Sequence, residues 1–171
     1  MMFSFLIPLA ALIVGVVGLV RLRRGAVFVP IGHKALGEII SMLEIRAGEC
    51  AVDLGSGDGR IVIALARAGA EAHGYEHSPL LVWWSRRKIK KAGLSDRAFI
   101  HHANFWHEDF SRYKIITIFG ISYAMERLER KLLQEAKLGT RVVSYLFPLP
   151  TWKPQFQKNG LYFYTVGQKP L

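Results

Sequence analysis

Two acids and three glycines carry the most specific chemistry in this chain. In Asp53-Leu54-Gly55-Ser56-Gly57-Asp58-Gly59 an acid stands two residues before the first of three alternate glycines. The run that leads into it, from Cys50 through Ala51 and Val52, is short and apolar, as a buried parallel strand is. The run that leaves it, Ile61-Val62-Ile63-Ala64-Leu65-Ala66-Arg67-Ala68, reads as a helix. A strand, a glycine loop and a helix in that order put the loop at the carboxyl end of the strand, where open α/β sheets bind ligands. A second acid, Glu76, follows where the next strand, Ala72-His73-Gly74-Tyr75-Glu76, should end. A carboxylate there can accept both hydrogen bonds of a ribose diol. Asp53 suits a cationic ligand group and would repel a pyrophosphate. Position 60 is Arg, so the dinucleotide fingerprint G-x-G-x-x-G fails, and no G-x-x-x-x-G-K-[ST] is present.

The elements around the loop must hold it in place. The length, 171 residues, suits one domain, and half the residues are hydrophobic, enough for a core. The formal net charge is +10. The single cysteine, Cys50, excludes an internal disulfide and is expected to pack as a small hydrophobe in a reducing compartment. Residues 1–20 carry no charge, and Arg21, Arg23 and Arg24 follow at once. As a helix that run would span about 30 Å, the thickness of a bilayer core. A signal peptide carries its positive charge before the apolar core, so the reversed order here predicts an uncleaved transmembrane anchor. Its basic end, and everything after it, would lie on the cytoplasmic or matrix-equivalent side. The chain divides into an anchor with its basic flank, 1–24, and a catalytic domain, 25–171.

Downstream of the link Gly25–Gly32, His33 to Ile45 has a helical apolar stripe. Ser78 can cap the helix that runs to about Ala92, with Pro79 at its first position. That helix holds Trp83, Trp84, Arg86, Arg87, Lys88, Lys90 and Lys91: a solvated face, a contact for anionic lipid headgroups, or a nucleic-acid surface. Arg97 to His102 and Ile115 to Phe119 read as further strands, with a helix from about Tyr123 to Lys137. Arg141 to Phe147 is a fifth strand. Asn159-Gly160, between the runs from Gln155 and from Leu161, is a strong hairpin signal. The chain is therefore read as five βα-type units closed by an antiparallel hairpin. His101, His102 and His107 lie close together, but no cysteine or carboxylate falls at a zinc-ligand spacing, so no metal is expected.

The acid, the glycine loop and the second-strand acid together resemble the S-adenosylmethionine site of class I (seven-β-strand) methyltransferases. The resemblance implies a Rossmann-like α/β sheet of order 3-2-1-4-5-7-6 with the last hairpin antiparallel. It makes Asp53, Gly55, Ser56, Gly57, Asp58, Gly59, Glu76 and Gly120 cofactor-binding residues. After the third strand it assigns Asn104 to the adenine, with Phe105 or Trp106 either a wall for the ring or simply core. Phe28-Val29-Pro30, Gly74-Tyr75-Glu76, Trp83, Ile118-Phe119-Gly120 and Phe147-Pro148-Leu149-Pro150-Thr151-Trp152 narrow the likeness. With the anchor, the chain is similar to the small membrane-anchored lysine methyltransferases of the ATP synthase c-subunit and adenine nucleotide translocase type, and to their prokaryotic relatives. Two departures stand out: Phe28 replaces a tyrosine common in that family, and Asn104 an aspartate.

The implied activity is methylation of a lysine on a membrane-associated protein. Phe28, Pro30, Phe147, Pro148 and Trp152 are the substrate-binding candidates. Tyr145 is either an acceptor for the incoming amine or an ordinary strand aromatic. A lipid or quinone-like substrate, or RNA as the basic charge suggests, are the alternatives. The asparagine/aspartate-Pro-Pro-aromatic motif of nucleobase amino-methyltransferases is missing after the fourth strand, which argues against nucleic acid. The intact Asp53, Gly55, Gly57, Gly59 and Glu76 argue against a non-enzymatic scaffold.

Overall fold

A computed structural model describes residues 31–119 and 122–168. The expected anchor, together with Phe28, Pro30 and Gly120, lies outside the described residues. Among the described residues no helix is long and apolar enough to cross a membrane.

The chain runs α1 (His33–Met42), β1 (Cys50–Leu54), α2 (Arg60–Arg67), β2 (Glu71–Glu76), α3 (Pro79–Lys91) and β3 (Ala98–His102). It continues through β4 (Ile115–Phe119), α4 (Met125–Glu135), β5 (Arg141–Tyr145), β6 (Phe156–Lys158) and β7 (Leu161–Thr165). The strands form one sheet in the order β3-β2-β1-β4-β5-β7-β6. The first five are parallel, and β7 runs antiparallel to both β5 and β6. Order and hairpin are as the resemblance implied. Asn159 (φ 52°) and Gly160 (φ 75°) turn the hairpin in the left-handed region, which a two-residue type I′ turn demands.

Alternation along the strands builds two cores. Ala51, Ile115 and Val143 face Ile39 of α1 and Leu43 just after it, Val62 and Leu65 of α2, and Val82 and Ile89 of α3. Val52, Ile116, Ile118 and Val142 face Met125, Leu128 and Leu132 of α4, with Phe110 and Tyr113 beside them. Every residue of a strand buried on both sides meets a core, so β1 and β4 read as almost unbroken apolar runs.

The expectation of five βα units is corrected. No α-helix joins β3 to β4: two 3-10 turns, Phe105–His107 and Phe110–Arg112, make that crossing. The side chains of Asn104 and Asp109 start them by accepting from the N–H groups of Trp106 and Ser111. From β5 to β6 the chain is irregular, because Pro148, Pro150 and Pro154 supply no N–H and disfavour helix in the residues before them. Strand five ends at Tyr145, two residues before the expected Phe147, because Leu146 is left-handed (φ 69°). Pro79 does open α3, but the Ser78 side chain makes no capping hydrogen bond. Glu76 Oε1 instead accepts from the Ser78 N–H at 2.7 Å.

Candidate cofactor and substrate site

The glycine loop is fastened to the end of β2. The Tyr75 carbonyl oxygen, on β2, accepts from the N–H groups of Gly55 (3.0 Å) and Ser56 (2.9 Å). Glu76 Oε2 accepts from the Gly57 N–H at 2.9 Å, and the Ser56 carbonyl accepts from Gly59 at 2.9 Å. The amides of Gly55, Ser56, Gly57 and Gly59 are thus engaged within the chain. Each Glu76 oxygen takes one backbone donor, and a carboxylate offers about four acceptor positions, so room for a diol remains.

The three glycines divide the labour. Gly55 (φ +80°) has open space where a Cβ would stand, which leaves the approach to the end of β1 free. A Cβ at Gly59 (φ +77°) would lie 2.8 Å from Ser85 Cβ, so this glycine lets α2 pack on α3. Gly74, not among the site candidates, does comparable work: a Cβ there would come within 2.6 Å of Ser56 Cβ and 2.7 Å of Val62.

Asp53 is buried, and the only described side chain that serves it is Thr117, whose hydroxyl donates to Oδ1 at 2.8 Å. Burial pushes its carboxyl up to about 7; Thr117 opposes the shift, and Glu76 and Asp58 add to it. Such a group calls for a cation. Thr117 escaped the sequence reading, although a lone hydroxyl within Ile115-Ile116-Thr117-Ile118 was a usable signal. Ser56 Oγ is buried without a hydrogen-bond partner among the described residues.

Asp58 is placed differently from the other acids. Its oxygens accept from Arg60 Nε (2.9 Å) and Nη2 (2.8 Å) and from Lys88 Nζ (2.5 Å). Burial would raise its carboxyl, but Arg60 and Lys88 overcome that and hold it at about 2. Arg60 Nη1 also donates to the Ile31 carbonyl at 2.6 Å. This cluster clamps the incoming link, the glycine loop and α3 together. Nothing in the spacing of Asp58, Arg60 and Lys88 announced it.

Asn104 is exposed just beyond β3, its Oδ1 used by the Trp106 N–H at 3.1 Å. Phe105 and Trp106 are half-buried against the second core, ring centroids 4.8 Å apart, and Arg127 covers Trp106 at 4.2 Å. The ends of β1 and β2 and the residue after β3 therefore present Asp53, Glu76 and Asn104 in lateral order. Neighbouring strands are about 4.8 Å apart, so the three mark out an extended ligand of about 10 Å. A cationic end at Asp53, a diol at Glu76 and a base at Asn104 fit S-adenosylmethionine.

On the other side of β1, Phe119 and Tyr145 stand paired at the ends of β4 and β5 with centroids 5.2 Å apart. The Tyr145 hydroxyl makes no hydrogen bond among the described residues. Phe147 and Trp152 pack on the second core, and Trp152 lies 5.2 Å from Tyr164. Their loop is pinned: Tyr164 Oη accepts from the Leu149 N–H at 2.9 Å. Buried Glu129 accepts from the Thr151 N–H at 2.9 Å and from its hydroxyl. Pro148 is exposed on the same loop. A groove of about 600 Å³ lined by Met42, Glu49, Lys114 and Arg141 opens at the opposite edge of the sheet and takes no part in this site.

Comparison with known proteins decides the family. The ANTKMT methyltransferase domain matches residues 53–156. The chain belongs to this family. The mouse ATP synthase c-subunit lysine N-methyltransferase is 43% identical over 74% of the chain and 51% of its own length. A protein-lysine N-methyltransferase of Saccharolobus islandicus is 30% identical over 82% of the chain and 94% of its own length. The solved structure of a Salinibacter ruber protein, named an RNA methyltransferase and bound to S-adenosyl-L-homocysteine, superposes with a TM-score of 0.77. It is 29% identical, over 82% of this chain and 95% of that one. The chain spans about half the length of the mouse, rat and human relatives. The Asp53–Glu76–Asn104 row lies within the matched residues.

Proposed function

We propose that the chain is an S-adenosylmethionine-dependent protein-lysine N-methyltransferase, anchored by residues 1–24 and acting through 25–171 on a membrane-associated protein. The observation that carries this is the buried Asp53 at the open Gly55 approach, within a family whose named relatives modify lysine. The uncharged run 1–20 and its arginine flank support the anchor.

The cofactor supplies a methyl group on a cationic sulfur. Asp53 holds the ammonium end, Glu76 the ribose hydroxyls, and the exposed Asn104 beside Phe105 the adenine. Gly120 is assigned to the cofactor as well. A lysine must reach the methyl neutral, and its deprotonation at pH 7 costs about 4–5 kcal/mol. The Phe119–Tyr145 pair gives the amine an apolar channel that disfavours the ammonium. Tyr145 Oη accepts a hydrogen bond from the amine and so aims its lone pair. The neutral lysine nitrogen would take the methyl from the sulfur, leaving the thioether, and the extra proton on the methylated amine would leave to solvent. Catalysis here is positioning and exclusion of water. Phe147 and Pro148 form the rim that receives the substrate chain, with Trp152 supporting the rim from beneath, and Phe28 and Pro30 are assigned to the same substrate.

An RNA substrate is the second reading, favoured by the name of the Salinibacter ruber relative and by the net charge of +10. One experiment separates the two. Detergent-solubilised protein and an Asp53→Ala control are incubated with radiolabelled S-adenosylmethionine and membranes of the source organism, and protein, lipid and RNA are then fractionated. Base-stable label on lysine in a protein band supports the proposal. Label in RNA or lipid replaces the substrate class, and no label above the control in any fraction overturns the enzyme reading.

A further inference from the structure

Helix α3 carries a face that the cofactor site does not use. Leu80, Trp83 and Trp84 are 67%, 55% and 51% exposed, and with Arg87 and Lys91 they form one stripe at helical spacing. The opposite stripe, Val82, Ser85 and Ile89, is buried against the sheet. Beside the exposed stripe runs a groove of about 420 Å³ lined by Pro79, Val82, Trp83, Arg86, Arg87, Lys90 and His102. Among the described residues no carboxylate pairs with Arg87, Lys90 or Lys91.

We propose that this face of α3 docks on an anionic bilayer surface: Leu80, Trp83 and Trp84 enter the headgroup region, and Arg87, Lys90 and Lys91 take lipid phosphates. Three observations argue for a bilayer. Two large indoles and a leucine beside unpaired cations match an interfacial surface in both polarity and charge. The location is also right. Helix α3 begins just past the end of β2, so its apolar half borders the edge of the sheet that holds the site. The chain enters at that same edge: Ile31 is tied by Arg60 to the glycine loop, directly after the thirty residues that hold the uncharged run. A bilayer met at this edge turns the mouth of the site towards membrane-embedded substrates. Nucleic acid fits less well, because stacking on bases needs free aromatic faces. Arg87 already lies 4.6 Å from the Trp83 centroid and Lys88 5.4 Å from that of Trp84.

The orientation part rests on the anchor reading above, and the test separates the two. The full chain is placed in nanodiscs of phosphatidylcholine with or without phosphatidylserine, using brominated acyl chains to quench tryptophan emission. Wild type, Trp83→Phe/Trp84→Phe and Arg87→Glu/Lys91→Glu are compared, with S-adenosylhomocysteine binding as the check on folding. Quenching in anionic discs that is lost in both variants is the expected result. Quenching that is absent, or independent of phosphatidylserine, or unchanged in the tryptophan variant overturns the proposal. Displacement of the face from anionic discs by single-stranded RNA at moderate salt overturns it in favour of nucleic acid. Co-elution with the discs at high salt reads the anchor alone. If co-elution fails, quenching by added vesicles still tests the α3 face.

Discussion

Thr117 and Asp53 face each other from adjacent strands, and the threonine hydroxyl donates to the buried carboxyl at 2.8 Å. This bond works against burial, the dominant influence on Asp53. Thr117→Val removes it and raises the Asp53 carboxyl further. Cofactor affinity at pH 7 is expected to fall severalfold and to recover as the pH is raised, because the ionised carboxylate is the form that binds a cation. Calorimetric titrations between pH 6 and 9 check this; a pH-independent loss would sink it.

Asp53 also makes the empty site a liability for stability. Its folded value of about 7 lies above the ordinary 3.8, so its contribution is full below about 4 and is lost as the pH rises to about 7. Asp53→Asn is therefore expected to stabilise the cofactor-free protein at pH 8, on the order of 1–3 kcal/mol, while abolishing cofactor binding. The gain should fade towards pH 4. Thermal unfolding of both proteins across that range measures it.

Asp58 has the opposite sign. Held at about 2 by Arg60 and Lys88, it stabilises the fold above its ordinary 3.8, and that stability is lost as the pH falls from about 4 to about 2. Lys88→Met should flatten the acid limb of the stability curve without abolishing cofactor binding. Urea denaturation at pH 3 and pH 7 makes the comparison, and an unchanged acid limb would rule the clamp out.

Glu129 is buried under the loop it serves. Glu129→Ala leaves the Thr151 N–H without its acceptor, at a cost of about 1–3 kcal/mol. Hydrogen exchange at Leu149 and Thr151 should rise while α2 stays protected. Uniform loss of protection would mean that Glu129 supports the whole fold, not the loop.

Gly74→Ala is expected to damage the site more than its size suggests. The new methyl would meet Ser56 and Val62 below 3.0 Å, and both belong to the loop-and-helix unit that shapes the opening. Overpacking of this kind costs about 1–3 kcal/mol. Binding of S-adenosylhomocysteine should weaken at least tenfold, and binding at wild-type strength would show that the loop absorbs the methyl.

The sheet was legible because its signals are local and agree with one another. Short apolar runs, the glycine loop after β1 and Asn159-Gly160 each fix one element. The Asp53–Glu76–Asn104 row was legible for a similar reason, since each residue sits at or just past a strand end. The clamp of Arg60 and Lys88 on Asp58 was not legible, because Lys88 lies in a run of basic residues that all look solvent-facing. Glu129 was hidden in the same way: a glutamate on an amphipathic helix reads as exposed until its partner loop is known. The missing helix between β3 and β4 was misread because a parallel crossover usually contains one, whereas here Asn104 and Asp109 divert the backbone into 3-10 turns.

The glycine loop keeps the amides of Gly55, Ser56, Gly57 and Gly59 occupied, with Tyr75, Glu76 and Ser56 as acceptors. That internal economy bears on life among abundant nucleotides. ATP, GTP and the nicotinamide dinucleotides all share a purine base and a ribose with the cofactor. They also bring phosphates, which would meet the buried Asp53 carboxyl at the end of β1 and a loop whose Gly55, Ser56, Gly57 and Gly59 amides already have acceptors. A backbone so engaged, beside a carboxyl, disfavours the polyphosphates of the cell's nucleotide pool at this loop.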